Sequence, residues 1–343
     1  MSPSKVTMQT IAHKLNVSKV TVSKALNGRP GVSLELRKRI LEVSREMGYQ
    51  IPKTRQPSAE VTFGFVVPSR FFLETDKFYT KIYYHLSRRC ATAGYALSLR
   101  ILDAQEEEQL LPPFPSTNPV SALFIAGELH EPYLHSLRDL APMVALDFCE
   151  PHLAMDAVVI DNFYASYSAT LYLARHGHQN IGFVGDPSYS ASVADRYYGY
   201  LKAMAEGGLP TSSDWCISVN DATGVYFADV PLPTVEPTAW VCHCDMAAYH
   251  MLLILQKHGQ RIPEDVSLIG FDNTELSQKT MPPLTTVDIN THELADAAYD
   301  RMLWRLAHPT WPHQRIVLST RIIERHSVAA VRAELSVSAA LTP

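Results

Sequence analysis

The chain has 343 residues, of which 46% are hydrophobic and 19% charged, and its 30 Lys/Arg and 35 Asp/Glu leave a net charge of −5. That length gives room for two or three domains and an ample core. No apolar run approaches the roughly 18–20 residues of a membrane span, no apolar leader opens the chain, and five cysteines, an odd number, suit a reducing compartment. A cytoplasmic protein with no membrane partner is expected.

The charge is unevenly spread. Residues 1–60 hold eleven of the thirty basic and four of the thirty-five acidic residues, a net of +7, which leaves −12 for the remainder. A basic head on an acidic body is expected of a DNA-binding head whose body must stay off the phosphates.

In chain order, the first informative stretch is TMQTIAHKLNVSKVTVSKALN, residues 7–27. Met8, Ile11, Ala12 and Leu15 follow the spacing of a helix with one buried face. Asn16-Val17 interrupts it, and Ser18 stands where a second helix wants an N-cap. In that helix Val22, Ala25 and Leu26 share the packing face, leaving Lys19, Val20, Ser23, Lys24 and Asn27 outside. Lysines pair with phosphates or guanine edges, and a valine can meet a thymine methyl. An amphipathic hairpin with a solvated face would show the same periodicity. The neighbours favour DNA: Thr7 can cap the first helix, and Ser33 can cap a third over about 34–47. There Leu36, Ile40, Val43 and Met47 face inward, with Arg37, Lys38 and Arg45 outside. Three helices with a basic second one is the helix-turn-helix plan.

These residues resemble the head of the lactose-repressor (LacI/GalR) family. The match runs through VTMQTIAHKLNVSKVTVSKALN and VSLELRKRILEVSREMGY, with Thr10 in place of the usual Asp and Lys24 in place of Arg. Lys24 keeps the charge but loses the bidentate fork. The resemblance implies an all-α helix-turn-helix head over 1–50. Its expected DNA contacts are Thr7, Ser18, Lys19, Val20, Thr21, Ser23, Lys24 and Asn27. Residues 51–60 read as a linker. The family's hinge helix, with a leucine for the minor groove, is not expected there, because the segment has no Leu and Pro57 would break a helix.

Strand and helix signals then alternate. Strands are expected at 61–67, 95–102, 121–127, 143–148, 157–162, 180–186, 238–245 and 265–273. Helices are expected at 77–91, 164–176, 196–206, 246–258 and 292–307. The four prolines of 111–119 and the prolines of 220–237 argue against helix in those two segments. Repeated βα units mean parallel sheets with helices on both faces, here in two lobes. GHQNIGFVGD, DRYYGYLKAM, GQRIPEDVSLIGFDN and PPLTTVDI resemble, in order, the blocks of the same family's periplasmic-binding-protein-like body, over 61–328. The family's TAIFC-x-ND block carries Cys244 where Asn is usual. Residues 329–343 form a short tail without heptads.

Ligands of open α/β sheets sit beyond the carboxyl ends of strands. Asp147, Asp245 and Asp272 fall at such ends, and Ser192 and Arg196 share a helix face. The resemblance implies that Asp147, Ser192, Arg196 and Asp272 touch a small-molecule effector, with Phe78 or Tyr79 stacking on it. Asp245 can equally cap its helix, Asp161-Asn162 reads as crossover structure, and His178 reads as a satisfied structural histidine. A cationic fork with carboxylates suits a hydroxyl-rich effector such as a sugar. A nucleobase or an anionic metabolite is the alternative. Cys242-His243-Cys244 lies in an apolar strand with no second cluster to complete a tetrahedron, so no metal and no cofactor are expected. No phosphate loop, G-x-S-x-G elbow or H-E-x-x-H is present, and no enzyme is expected. The expected protein is a homodimeric regulator, a repressor of double-stranded operator DNA. Its rivals are a DNA-binding dimer with a degenerate pocket and a transporter-type solute-binding protein.

Overall fold

The computed structural model describes residues 7–26, 32–47, 62–72, 77–117, 119–221 and 223–331. Asn27, the side chains of Leu26, Arg37 and Arg45, the linker at 51–60 and the tail after Val331 lie outside the described residues. The chain divides into two compact units, Met1–Glu60 and Val61–Pro343.

In the first unit, α1 (Met8–Leu15) begins with a capping box. Thr7 Oγ1 accepts from Thr10 N at 3.3 Å, and Thr10 Oγ1 accepts from Thr7 N at 3.1 Å. A hydroxyl at Thr10 therefore does the capping that a carboxylate would do there. Asn16, at φ +52°, ends the helix in the left-handed region that Asn tolerates. Ser18 caps α2 (Lys19–Leu26), accepting from Thr21 N at 3.0 Å, and Ser33 caps α3 (Leu34–Glu46), accepting from Leu36 N at 3.3 Å. Ile11, Ala12, Val22, Ala25, Ile40 and Val43 form the buried core, flanked by Met8, Leu15 and Leu36. Each fully buried Ile or Val contributes about 1.5–3 kcal/mol, which is what holds three short helices together.

The second unit builds its first lobe from β1 (Thr62–Pro68), α4 (Phe78–Thr92), β2 (Ala96–Leu102), α5 (Ala104–Glu108), β3 (Ala122–Ala126), α6 (Glu131–Arg138), β4 (Met143–Leu146) and β5 (Asp156–Ile160). Its second lobe follows with α7 (Asn162–Arg175), β6 (Ile181–Val184), α8 (Ala191–Glu206), β7 (Cys216–Ile217), β8 (Ala239–Cys242), α9 (Asp245–Lys257), β9 (Ser267–Asp272), α10 (Glu275–Lys279) and β10 (Thr285–Asp288). The chain then returns to the first lobe through α11 (Thr291–Ala307) and β11 (Arg315–Leu318), and ends in the second with β12 (Arg321–Ile323). The sheet orders are β11-β5-β4-β3-β1-β2 and β12-β10-β9-β8-β6-β7. Every pair is parallel except β10 with β12. Buried side chains cover both faces of each sheet. No described helix is long and apolar enough to cross a membrane.

The sequence reading differs from the structure in several places. α8 begins at Ala191, not Arg196, because Ser190 caps it by accepting from Val193 N at 3.4 Å. The strand read through Cys244 stops at Cys242, and Cys244 becomes the N-cap of α9, its sulfur accepting from Ala247 N at 3.3 Å. Cys242 and Cys244 therefore do not share a strand face. β7, β10, β11 and β12 went unread; β7, β11 and β12 are edge strands of only two to four residues, too short for their apolar residues to set a period. The segment 220–237 is irregular where it is described, with a single bridge between Asn220 and Tyr226.

Candidate functional site

On the head, Lys19, Val20 and Lys24 stand out from α2, with Val20 63% exposed. Thr21 and Ser23 are half-buried on the same helix. The hydroxyls of Thr7, Ser18 and Thr21 all take part in the caps, Ser18 Oγ lying 2.8 Å from Thr21 Oγ1. Ser18 and Thr21 thus fix the start of α2, the helix that carries the two lysines.

In the body, the carboxyl ends of β1, β3 and β4 in one lobe face those of β6, β7, β8 and β9 in the other, around a cavity with about 90 Å³ of solvent-accessible room. Phe78, Tyr79 and Asp147 line it from the first lobe, and Ser192, Arg196 and Asp272 from the second. Six of the seven residues read from sequence are thus brought together. Asp245 is not among them. It is fully buried within the second lobe, where one carboxylate oxygen accepts from Thr274 N at 2.6 Å and the other from Thr286 Oγ1 at 2.5 Å. Its strand-end position points it behind β9, where it pins α9 to β10, and Cys244 is the cap.

Arg196 is 5% exposed. Its Nε donates to Asn162 Oδ1 at 2.8 Å, Nη1 donates to the His243 carbonyl, and Nη2 lies 3.8 Å from Asp272 Oδ1, with the guanidinium stacked on Phe271. Asn162 opens α7 at the crossover, so this arginine ties the crossover to two strand ends of the second lobe. α8 can carry it there because Gly199 lets α7 and α8 touch: an added Cβ would lie 2.1 Å from the Phe163 carbonyl oxygen. Asp161 caps α7, accepting from Tyr164 N at 3.2 Å. His178 is held by Thr238 Oγ1 at 2.9 Å and the Ala329 carbonyl at 3.1 Å, a structural histidine.

Asp147 and Asp272 both have positive φ, +68° and +99°, a conformation that side chains with a Cβ resist. Asp147 Oδ2 accepts from the Tyr79 hydroxyl at 2.9 Å, and its main-chain carbonyl accepts from Ser192 Oγ of the other lobe at 3.0 Å. A second bridge between lobes runs from Ala191 N to Glu128 Oε2 at 2.7 Å. Burial pushes the Asp147 carboxyl up to about 6, against the opposing pull of Arg196 and of the Tyr79 hydroxyl. Burial and the nearby Arg196 charge hold His243 down at about 4.

Reading from sequence missed Phe71, Glu128, Tyr189, Asn220, Tyr226 and His243 in the lining. Glu128 had a signal, since it follows a strand as Asp147 does. Asn220 and Tyr226 had none, because they come from irregular chain. Among the described residues no group of His, Cys, Asp and Glu could hold a metal ion.

Residues 7–51 match the family described as bacterial regulatory proteins, lacI family, and residues 170–328 match the periplasmic binding protein-like domain. The HTH-type transcriptional repressor CytR of Escherichia coli (strain K12) is 29% identical over 304 residues, covering 85% of this chain and 87% of that protein. The HTH-type transcriptional repressor PurR of Salmonella paratyphi B is 27% identical over 334 residues, covering 94% and 97%. The solved complex of the transcriptional regulator CelR with cellobiose has the same fold, with a TM-score of 0.67 at 22% identity, covering 94% of this chain and 99% of that one.

Proposed function

From the match of residues 7–51 to the lacI family of bacterial regulatory proteins, we propose that the chain represses transcription as a homodimer, each head reading half of a two-fold operator, under control of a small polar effector bound between the lobes. The observation that carries the DNA-binding half is the Lys19–Val20–Lys24 face, exposed on a helix whose caps and core fix its direction. One such head reads only a few base pairs, so useful specificity needs two.

The effector reading rests on the cavity, where Arg196, Asp272, Asp147 and Tyr79 converge at strand ends from both lobes. A hydroxyl-rich ligand both donates and accepts and so suits carboxylates beside a guanidinium. Cellobiose in the CelR complex, a protein of the same fold, supports a sugar. The effector acts by its differential affinity for two lobe arrangements, typically about 1–3 kcal/mol. A second reading, a body that only dimerises, draws on the two hydrogen bonds that join the lobes within the protein itself.

DNA binding to the protein's own upstream region, with and without a panel of sugars, tests both halves. Lys24→Ala is expected to weaken binding by about 1–3 kcal/mol and to relax base choice at one position per half-site. An unchanged base preference in that variant rejects the α2 assignment. Absence of any sugar-dependent change in DNA affinity or melting temperature favours the dimerisation-only body.

A further inference from the structure

From the polar groups the cavity leaves unpaired, and resting on the effector reading above, we propose that the ligand is a non-anionic polyol carrying an amino group, an amino sugar, with its ammonium on Asp147. The arginines of the cavity are already engaged. Arg70 donates to Glu107 Oε2 and to the Glu128 carbonyl, each at 2.6 Å, and Arg196 is held by Asn162, His243 and Asp272. The atoms left over are both acceptors. Asp147 Oδ1 and Asn220 Oδ1 have no hydrogen-bond partner among the described residues, and their residues are only 6% and 8% exposed. The orientation of Asn220 is fixed, because its Nδ2 donates to the Asp221 carbonyl at 3.0 Å and a flipped amide would oppose two oxygens there. A buried acceptor without a donor is unfavourable, so the missing partner is a donor. For a carboxylate oxygen the strongest donor is a cation.

The charge around the cavity gives the sign. The wall of Arg70, Phe71, Glu128 and Tyr189 separates it from an open cleft of about 650 Å³ lined by Glu108, Glu131 and Glu150. Across that cleft an anion is repelled and a cation drawn in. A cleft of about 220 Å³ that shares Asp272 with the cavity carries Lys77, Lys81 and Lys279 beside Glu275. The negative side is therefore the Glu128 side, since Glu128 lines both the cavity and the acidic cleft, and Asp147 comes from the same lobe as Glu128. Phe78, Tyr79 and Tyr189 also line the cavity, and aromatic rings attract a cation. Burial raises the Asp147 carboxyl to about 6, and a paired ammonium would favour its ionised form.

The test uses the full chain and three matched sets: glucose, galactose and mannose, their 2-amino-2-deoxy counterparts, and their 6-phosphates. Binding is read by calorimetry and by melting temperature. At least one amino sugar is expected to bind about tenfold or more tighter than its neutral parent, since one charge-assisted hydrogen bond exceeds a neutral one by roughly that factor. The 6-phosphates are expected not to bind. Asp147→Asn is expected to weaken the amino sugar about tenfold more than its neutral parent, a change in their ratio that loss of folding would not mimic. Equal or tighter binding of a parent sugar overturns the amine assignment and leaves the sugar-effector reading intact. Binding of a phosphate ester overturns the charge argument and moves the ligand to the lysine side. No binding by any of the nine overturns the amine proposal and the sugar effector together.

Discussion

Arg196→Met keeps the side-chain volume and removes the guanidinium, so it isolates what the fork does. Two neutral acceptors, Asn162 Oδ1 and the His243 carbonyl, would lose their donor, and the Asp272 carboxylate would lose its cation at 3.8 Å. Each orphaned buried neutral acceptor costs about 1–3 kcal/mol, and breaking one side of a buried charge pair about 3–5 kcal/mol. These do not add, because the three acceptors share one group and relax together, so the expected loss is about 3–5 kcal/mol in all. Arg196→Lys, which cannot span three acceptors, should lose about half as much. All four tryptophans, Trp215, Trp240, Trp304 and Trp311, lie in the body. Urea unfolding followed by tryptophan fluorescence therefore reports the body without interference from the head. A loss below about 1 kcal/mol in both variants would refute the claim that Arg196 ties the crossover to the second lobe. If the loss is as expected, effector response in Arg196 variants has to be measured well below their melting temperature.

Asp147 supplies a pH signature. Its folded carboxyl titrates near 6, above its ordinary value of 3.8, so the folded state holds the extra proton between those values and stability falls as pH rises through that window. Burial of His243, down at about 4 from 6.5, acts in the opposite direction, stability rising with pH. Asp147→Asn should therefore leave a profile that climbs more steeply from pH 4 to 6 than the wild type, and should stabilise the body at pH 7 by up to about 3 kcal/mol; an unchanged urea profile refutes the buried-carboxyl account. Gly199→Ala places a methyl 2.1 Å from the Phe163 carbonyl oxygen and should cost about 1–3 kcal/mol, visible as a lower melting temperature, whereas an unchanged value would mean α7 and α8 part freely. Thr7→Ala removes one side of the capping box of α1 and should destabilise the head by about 1 kcal/mol, read as lost helical circular dichroism on heating, and Thr7→Asp should restore it.

The head and the alternating body were legible in the residues, because both rest on local periodicity. Ile11, Ala12, Val22 and Ala25 declare their shared core at helical spacing, and Thr7, Ser18 and Ser33 declare the starts of their helices by chemistry that acts over three residues. Strand ends were legible in the same way, and they led to Asp147 and Asp272. They led equally to Asp245, since a strand end fixes where a carboxylate leaves the sheet and not which neighbour takes it. Thr274 and Thr286, which take it, stand 29 and 41 residues away along the chain. Tertiary structure alone decided that Asn162 at the crossover holds Arg196, that Cys244 leaves its strand to cap a helix, and that Glu128, Asn220 and Tyr226 join the cavity. Asn162 meets Arg196 from 34 residues away on another helix, Cys244 gives no polar signal of a cap in an apolar run, and Glu128, Asn220 and Tyr226 come from chain outside the helices and strands, so no repeating spacing points to these roles.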